Sequence, residues 1–458
     1  MAMDIETVLG VAGNVFEWYD FALYGYFSDI IAQVFFPPAS ESSSLLWSYV
    51  VFGGAFLMRP VGGMITGHTG DLNGRRGALV MSMVMMAVPT FAMGCLPSYE
   101  RVGWISTLLL VVCRLLQGMS VGGQLPSSIV FTVERQAKEN WGYFGALVVF
   151  ASGIGVLIGN IVGAILRSVL TDEELYAWGW RIPFLSGIVI GLVAVLIQLF
   201  GQEYNPNASF YSQQRHTVTI DEPTQLSYGT EVTTYQATHP LRESFRRENL
   251  SALIASALVP MLAGANYYVS FVWMAVYMET ILDPPVKGAF WINACASFFG
   301  HSIPSVCMGW ISDKYDRVTM MMIGAVGTGL VSPIMIWVIS FSQTVPAFFA
   351  QFTIGVVSSL FAGPMPAWLG ETFAPHVRLT AGSLGYNVAI CISSGFSPLL
   401  ATALVHRFGP VAPGAIYPFF AVLSFVGLFV AKRYTRDNGA NGRSQEVGVN
   451  QALIGSLL

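Results

Sequence analysis

The chain has 458 residues, 54% of them hydrophobic and 10% charged, with a mean hydropathy of +0.59. A soluble globular protein carries roughly 25% charged residues, so most of this chain belongs in a bilayer and a soluble enzyme is excluded. The formal net charge is −4; no basic block stands beyond short loop clusters, and no nucleic-acid partner is expected.

The N-terminus is short and acidic, with Asp4 and Glu6. It has no basic n-region, so no cleaved signal peptide is expected and the first apolar segment is retained. That segment, 8–34, contains Gly13-Asn14-Val15-Phe16-Glu17-Trp18-Tyr19-Asp20-Phe21. Glu17 and Asp20 are three residues apart and share one face of a helix, which Asn14 and Tyr24 extend. Intramembrane carboxylates are kept where they line a cavity or meet a partner, so the pair predicts a helix along a polar path.

Further apolar segments of ~20 residues or more follow at 44–68, 78–98, 104–133, 141–168, 180–201, 250–282, 286–312, 319–341, 344–369, 379–405 and 413–432. About twelve helices result, an even count that places both termini on one side. The polar stretch 202–249, with Pro206, Pro223 and Pro240, reads as a flexible linker. It separates an N-terminal six-helix bundle, 1–201, from a C-terminal one, 250–432. The remainder, 433–458, reads as a polar tail. With the termini in the cytoplasm, fifteen Lys and Arg fall on the cytoplasmic side and five on the other, as the positive-inside rule requires.

The two halves repeat one another. Gly67-His68-Thr69-Gly70-Asp71-Leu72-Asn73-Gly74-Arg75-Arg76 follows the second segment, and Gly309-Trp310-Ile311-Ser312-Asp313-Lys314-Tyr315-Asp316-Arg317 follows the eighth. Glu134 closes the fourth segment and Glu371 the tenth, with Pro126 and Pro364 at matching places before them. The offsets are 242, 237 and 238 residues, so a duplicated six-helix unit accounts for all three. Paired halves around a midplane site are the build of many secondary transporters.

The loop pattern Gly-x-x-x-Asp-x-x-Gly-Arg-Arg resembles the signature of the major facilitator superfamily. Five further stretches are similar to its metabolite:proton symporters, which carry proline and betaine, 2-oxoglutarate, citrate or shikimate. They are Glu17-Trp18-Tyr19-Asp20-Phe21, Arg59-Pro60-Val61-Gly62-Gly63, Arg114-Leu115-Leu116-Gln117-Gly118 with Gly122-Gly123, Trp178-Gly179-Trp180-Arg181-Ile182-Pro183-Phe184, and Gly385-Tyr386-Asn387. Gln124 stands where that family commonly has Glu, and Leu72 where the loop signature usually has Arg.

The resemblance implies that the first and fourth helices flank one cavity, where Arg114 can pair with Asp20 or Glu17. When substrate recruits Arg114, the desolvated carboxylate takes a proton. Asp20 is the first choice for proton carrier and Glu17 the second; a permanent structural ion pair is the alternative. Gln117 and Gln124 lie on the Arg114 face and, with Tyr24, Tyr267, Asn387 and Arg59, are candidate substrate contacts. Arg59 can equally gate the cytoplasmic side or snorkel. His301 reads as a hydrogen-bonded packing residue more often than a functional one. The aromatic group Tyr267, Tyr268, Phe271, Trp273 and Tyr277 suits a quaternary ammonium or an interfacial belt.

The resemblance also makes Asp71, Arg75, Arg76 and Glu134, repeated by Asp313, Arg317, Glu371 and Arg378, a cytoplasmic gate that tunes the balance between conformations. Gly155, Gly159 and Gly163 predict a close helix contact. Gly118-Met119-Ser120-Val121-Gly122 fits the hydrolase elbow pattern, but that elbow needs a strand-turn-helix and here lies within an apolar helix. The five cysteines fall in apolar segments and form no metal or disulfide framework.

The expectation is therefore an all-α polytopic membrane protein, about twelve transmembrane helices in two pseudo-symmetric six-helix bundles. It is no enzyme, needs no cofactor or metal, and is a monomer in the plasma membrane whose partners are a small-molecule substrate, protons and the lipid bilayer. The function is proton-coupled symport of a small carboxylate or zwitterion. An uncoupled facilitator, which Gln124 favours, and a non-transporting receptor or scaffold are the alternatives.

Overall fold

The computed structural model describes residues 5–37, 41–200 and 240–431. The linker as far as residue 239 and the tail 433–458 lie outside the described residues. In a bilayer every backbone N–H and C=O must be satisfied internally, which the helix does within one segment. All twelve predicted segments are helical, and no strand occurs among the described residues.

The first half comprises α1 (Ile5–Tyr26, continued after a turn at Phe27 by Ser28–Phe35), α2 (Glu41–Asn73), α3 (Arg75–Cys95), α4 (Trp104–Val133), α5 (Trp141–Val169) and α6 (Leu175–Leu199). The second half comprises α7 (Arg247–Ile281), α8 (Ala289–Cys295 to Ile303–Ser312), α9 (Arg317–Ile339), α10 (Thr344–Thr372), α11 (Arg378–Phe408) and α12 (Ala412–Ala431). Nine of these, among the described residues, are long and apolar enough to cross a membrane. The three that fall short, α1, α2 and α8, carry Glu17, Asp20, Arg59 and His301.

Helix α4 shows why the molecule reads inside out. Trp104, Leu108, Val112 and Leu116, at four-residue spacing, are exposed and form the stripe suited to lipid. Arg114, Gln117, Ser120 and Gln124 are buried on the opposite side. Polar side chains face the protein interior because hydrocarbon offers them no partner. The glycine stripe on α5 does what its spacing predicts: a Cβ at Gly155, Gly159 or Gly163 would run into Val15, Ala22 or Tyr26 of α1.

Two features depart from the sequence reading. The end of the polar stretch 202–249 is structured, with a short helix at Pro240–Ser244 in which Pro240, Glu243 and Ser244 are buried. Its anchor is the Glu243 carboxylate, which accepts from Arg246 Nη1 at 3.2 Å and lies 3.6 Å from His376 Nε2. Helices α7 and α8 are not regular throughout: π-helical turns occupy Tyr268–Trp273, Tyr277–Ile281 and Ala296–Ser302. Such turns widen the helix locally and recur at functional sites.

Candidate functional site

Three polar layers run through the molecule. The first is a knot inside the N-terminal half. Asp20 and Arg114 are both buried, with Arg114 Nη1 3.6 Å from Asp20 Oδ2. That separation is an ion pair without a hydrogen bond. The other oxygen, Oδ1, accepts from Thr90 Oγ1 at 2.9 Å and Gln117 Nε2 at 3.1 Å. Gln117 also donates to Thr90 Oγ1 at 2.8 Å. The Arg114 guanidinium sits over the Tyr24 ring, 3.4 Å from its centroid. Oδ1 is thus fixed by donors while Oδ2, with no hydrogen-bond partner, is the oxygen available to a proton.

The second layer is a central cavity of about 70 Å³ between the halves. Trp18 and Arg59 line it from the first half, and Tyr267, Tyr268, His301 and Tyr386 from the second. Trp18 and Tyr267 meet edge to face at a centroid distance of 5.0 Å. Glu17 is buried behind this wall, where its charge interacts with Arg59 and with Asp20. Neither Glu17 oxygen has a hydrogen-bond partner. Gln124 packs its amide against Gly13, one turn before Glu17, and both its polar atoms also lack hydrogen bonds.

The third layer lies at the end of the molecule that carries the repeated loop. Arg75 bonds Glu134 through Nε at 2.9 Å and Nη2 at 3.1 Å, and pairs with Asp71. Arg378 of the second half reaches Glu134 Oε1 at 2.5 Å. Asp71 Oδ2 accepts from Thr380 N at 2.7 Å and Oγ1 at 2.6 Å, at the N-terminus of α11. The copy is symmetric: Asp313 accepts from Gly142 N at 2.6 Å and Tyr143 N at 2.8 Å, at the N-terminus of α5. Arg317 joins Asp313 at 3.3 Å and Glu371 at 3.0 Å. In each copy a carboxylate from one half seats on the positive end of the other half's fifth helix.

Sequence-predicted residues therefore separate by layer. Asp20, Arg114, Gln117 and Tyr24 come together in the knot, and of these none lines the cavity. Arg59 and Tyr267 do line it. Asn387 instead ties the halves, donating to Gly122 O at 2.6 Å and Ser383 O at 2.8 Å. Arg76 reaches Gln198 O at 3.5 Å within its own half. Tyr386 and His301 line the cavity although neither was a candidate contact. Tyr386 stood inside the Gly385-Tyr386-Asn387 motif. His301 had a sharper signal: it lies 242 residues after Arg59, the offset of the repeated loop.

A model of the Major Facilitator Superfamily matches residues 12–378 and 291–456. The chain belongs to that superfamily. It is thus a membrane transporter by family and fold, not an enzyme. Among curated relatives, this superfamily member is 27% identical over 416 residues to the glycine betaine/proline/ectoine/pipecolic acid transporter OusA of Dickeya dadantii, covering 91% of this chain and 80% of the relative. It is 29% identical over 410 residues to the shikimate transporter of Escherichia coli, covering 87% and 86%. Among solved structures, the proton:xylose symporter XylE of E. coli superposes with a TM-score of 0.72 at 16% identity, covering 92% and 94%.

Proposed function

We propose that this integral membrane protein is a proton-coupled symporter of small carboxylates or zwitterions, working by alternating access of its two six-helix bundles, 1–201 and 250–432. The observation that carries the reading is the buried Asp20–Arg114 pair, held at 3.6 Å with Oδ2 bare. An ion pair this deep survives only while both partners remain charged and opposed. If substrate binding draws Arg114 away from Asp20, Asp20 is left as a lone buried charge and takes a proton on Oδ2. Substrate and proton then move together. Release reverses the step, and Arg114 returns to Asp20.

The cluster of Asp71, Arg75, Glu134 and Arg378 acts as a gate. It must break for the cavity to open at that end, and each state is weighted by the contacts it keeps. The positive-inside bias supports a cytoplasmic placement of that end and of both termini, and the proposed setting is a plasma-membrane monomer. The names of the relatives support carboxylates and zwitterions as cargo.

Uptake of proline, glycine betaine and shikimate into proteoliposomes tests the proposal. An inward proton gradient is expected to accelerate uptake at least tenfold. Equal uptake with and without the gradient overturns coupling. It would favour a second reading, an uncoupled facilitator, for which Gln124 in place of a titratable residue is the specific observation.

A further inference from the structure

The cavity has two walls, and the repeat relates them. Arg59 on α2 and His301 on α8 are 242 residues apart, as are Gly67 and Gly309 at the ends of the same helices. Each helix is also approached by a glycine from the fourth helix of its own half: Gly122 of α4 lies against the Arg59 backbone, and Gly355 of α10 against the Gly300 backbone beside His301. Both side chains are buried and both line the same cavity. Equivalent positions in the two halves therefore present unlike groups to one space.

Their chemistry differs in a defined way. Arg59 is a fixed cation with only donors. His301 Nδ1 lies 3.1 Å from Ser358 Oγ. With the Ser358 hydroxyl donating to Gly355 O at 3.0 Å, its oxygen accepts from Nδ1–H. In that neutral tautomer Nε2 carries the lone pair. The imidazole is held in orientation by Tyr267 and Phe271, with centroids at 5.9 and 5.2 Å.

We infer that Arg59 and His301 are the two poles of the substrate site, Arg59 taking a carboxylate and His301 Nε2 accepting from an N–H or O–H group at the substrate's other end. The site selects small carboxylates that carry such a donor, the amine of an amino acid or the hydroxyl of a hydroxy acid. A quaternary ammonium offers no donor and contacts only the aromatic wall of Trp18, Tyr267 and Tyr386. A substrate that spans both poles also draws the halves together. This rests on the transport reading above.

The test compares proline, shikimate and glycine betaine uptake by the wild type, H301A and H301Q in proteoliposomes. H301A is expected to raise the KM for proline and shikimate at least tenfold and that for glycine betaine less than threefold. A site built to receive a donor discriminates against a ligand lacking it. H301Q, whose amide oxygen can accept, should recover part of the loss. Equal losses for all three solutes, or none, overturn the assignment.

A second measurement needs no substrate. H301C in a cysteine-free background is reacted with anionic and cationic methanethiosulfonates, with Arg59 intact and with R59Q. The ratio of anionic to cationic rates should fall at least tenfold in R59Q; an unchanged ratio removes Arg59 as the facing pole. Failure of all three solutes with the wild type strikes the transport reading, whereas an unchanged ratio strikes the pairing.

Discussion

In the N-terminal half, Arg114 of α4 faces Asp20 at 3.6 Å, with Thr90 and Gln117 closing the knot. In the C-terminal half, 237 residues after Arg114, stands Gln351 of α10. It donates to Ser270 O at 2.6 Å and Asn293 Oδ1 at 2.5 Å, while Ser270 and Tyr417 share a hydrogen bond of 2.8 Å. Both knots are buried and tie α4-type and α1-type helices together. One is charged and one is neutral. A neutral network is enough to hold such helices, so packing alone does not require the ion pair. On the proposed mechanism the charge serves proton coupling in the N-terminal half, and the C-terminal half has a neutral network at the same place.

The largest effect should come from breaking the charged knot. Asp20→Asn leaves Arg114 as a buried cation with no countercharge, a change that typically costs about 3–5 kcal/mol. Proton-driven uptake is expected to fall at least 100-fold, and thermal unfolding in detergent should move well below the wild type. The double variant D20N/R114Q then imitates the neutral half. It should regain most of the stability while uptake stays indifferent to the proton gradient. Gradient-driven uptake by the double variant would dissolve the distinction between the halves.

The reverse exchange comes next. Gln351→Arg places a cation where no carboxylate waits, and Gln351→Leu removes two hydrogen bonds and strands Asn293 Oδ1 and Ser270 O. The first should lower expression and melting temperature severely. The second should cost about 1–3 kcal/mol and leave gradient dependence intact. Loss of coupling in a well-folded Q351L would show that the neutral knot also takes part in proton transfer.

The gate repeats this asymmetry on a smaller scale. Glu134 is almost fully buried and receives Arg75 and Arg378. Its repeat partner Glu371 is more than a third exposed and pairs with Arg317. Glu134→Gln should open the gate end and raise the labelling of a cavity cysteine from that side at least tenfold. Glu371→Gln should shift it less than threefold, as solvent-exposed pairs contribute about 0–1 kcal/mol. Equal effects would make the two copies equivalent in weight.

Hydropathy, the loop repeat and the family motifs were enough to read the architecture, because a bilayer leaves the chain few options. The Asp20–Arg114 pair was readable for the same reason, as charges inside an apolar helix need each other. What was not readable is depth and direction. Gln117 and Tyr24 share a face with the ion pair, so they looked like cavity residues, yet they bind the pair and not the cavity. Helical periodicity fixes the face, but which neighbour that face meets depends on packing. Arg378 was grouped with its own half by spacing, and its partner Glu134 lies 244 residues away in the other. His301 looked like a lone packing residue until α2 and α8 were seen on opposite walls of one cavity.

The smallest effect is expected where the chain between the halves rejoins the second one. Glu243 ends the polar stretch, is buried, and accepts from Arg246 at 3.2 Å with His376 Nε2 at 3.6 Å. His376 neighbours Pro375, whose carbonyl accepts from Arg75 Nη2 at 2.8 Å, so this contact reaches the gate. His376 is itself substantially exposed, and solvent screens its share of the pair. His376→Ala should therefore change stability by about 0–1 kcal/mol, with uptake within twofold of the wild type. Glu243→Ala also releases Arg246 and should cost more. A His376→Ala effect as large as that of Glu134→Gln would make the linker junction part of the gate itself, and the contrast between buried and exposed charge would no longer order the molecule's switches.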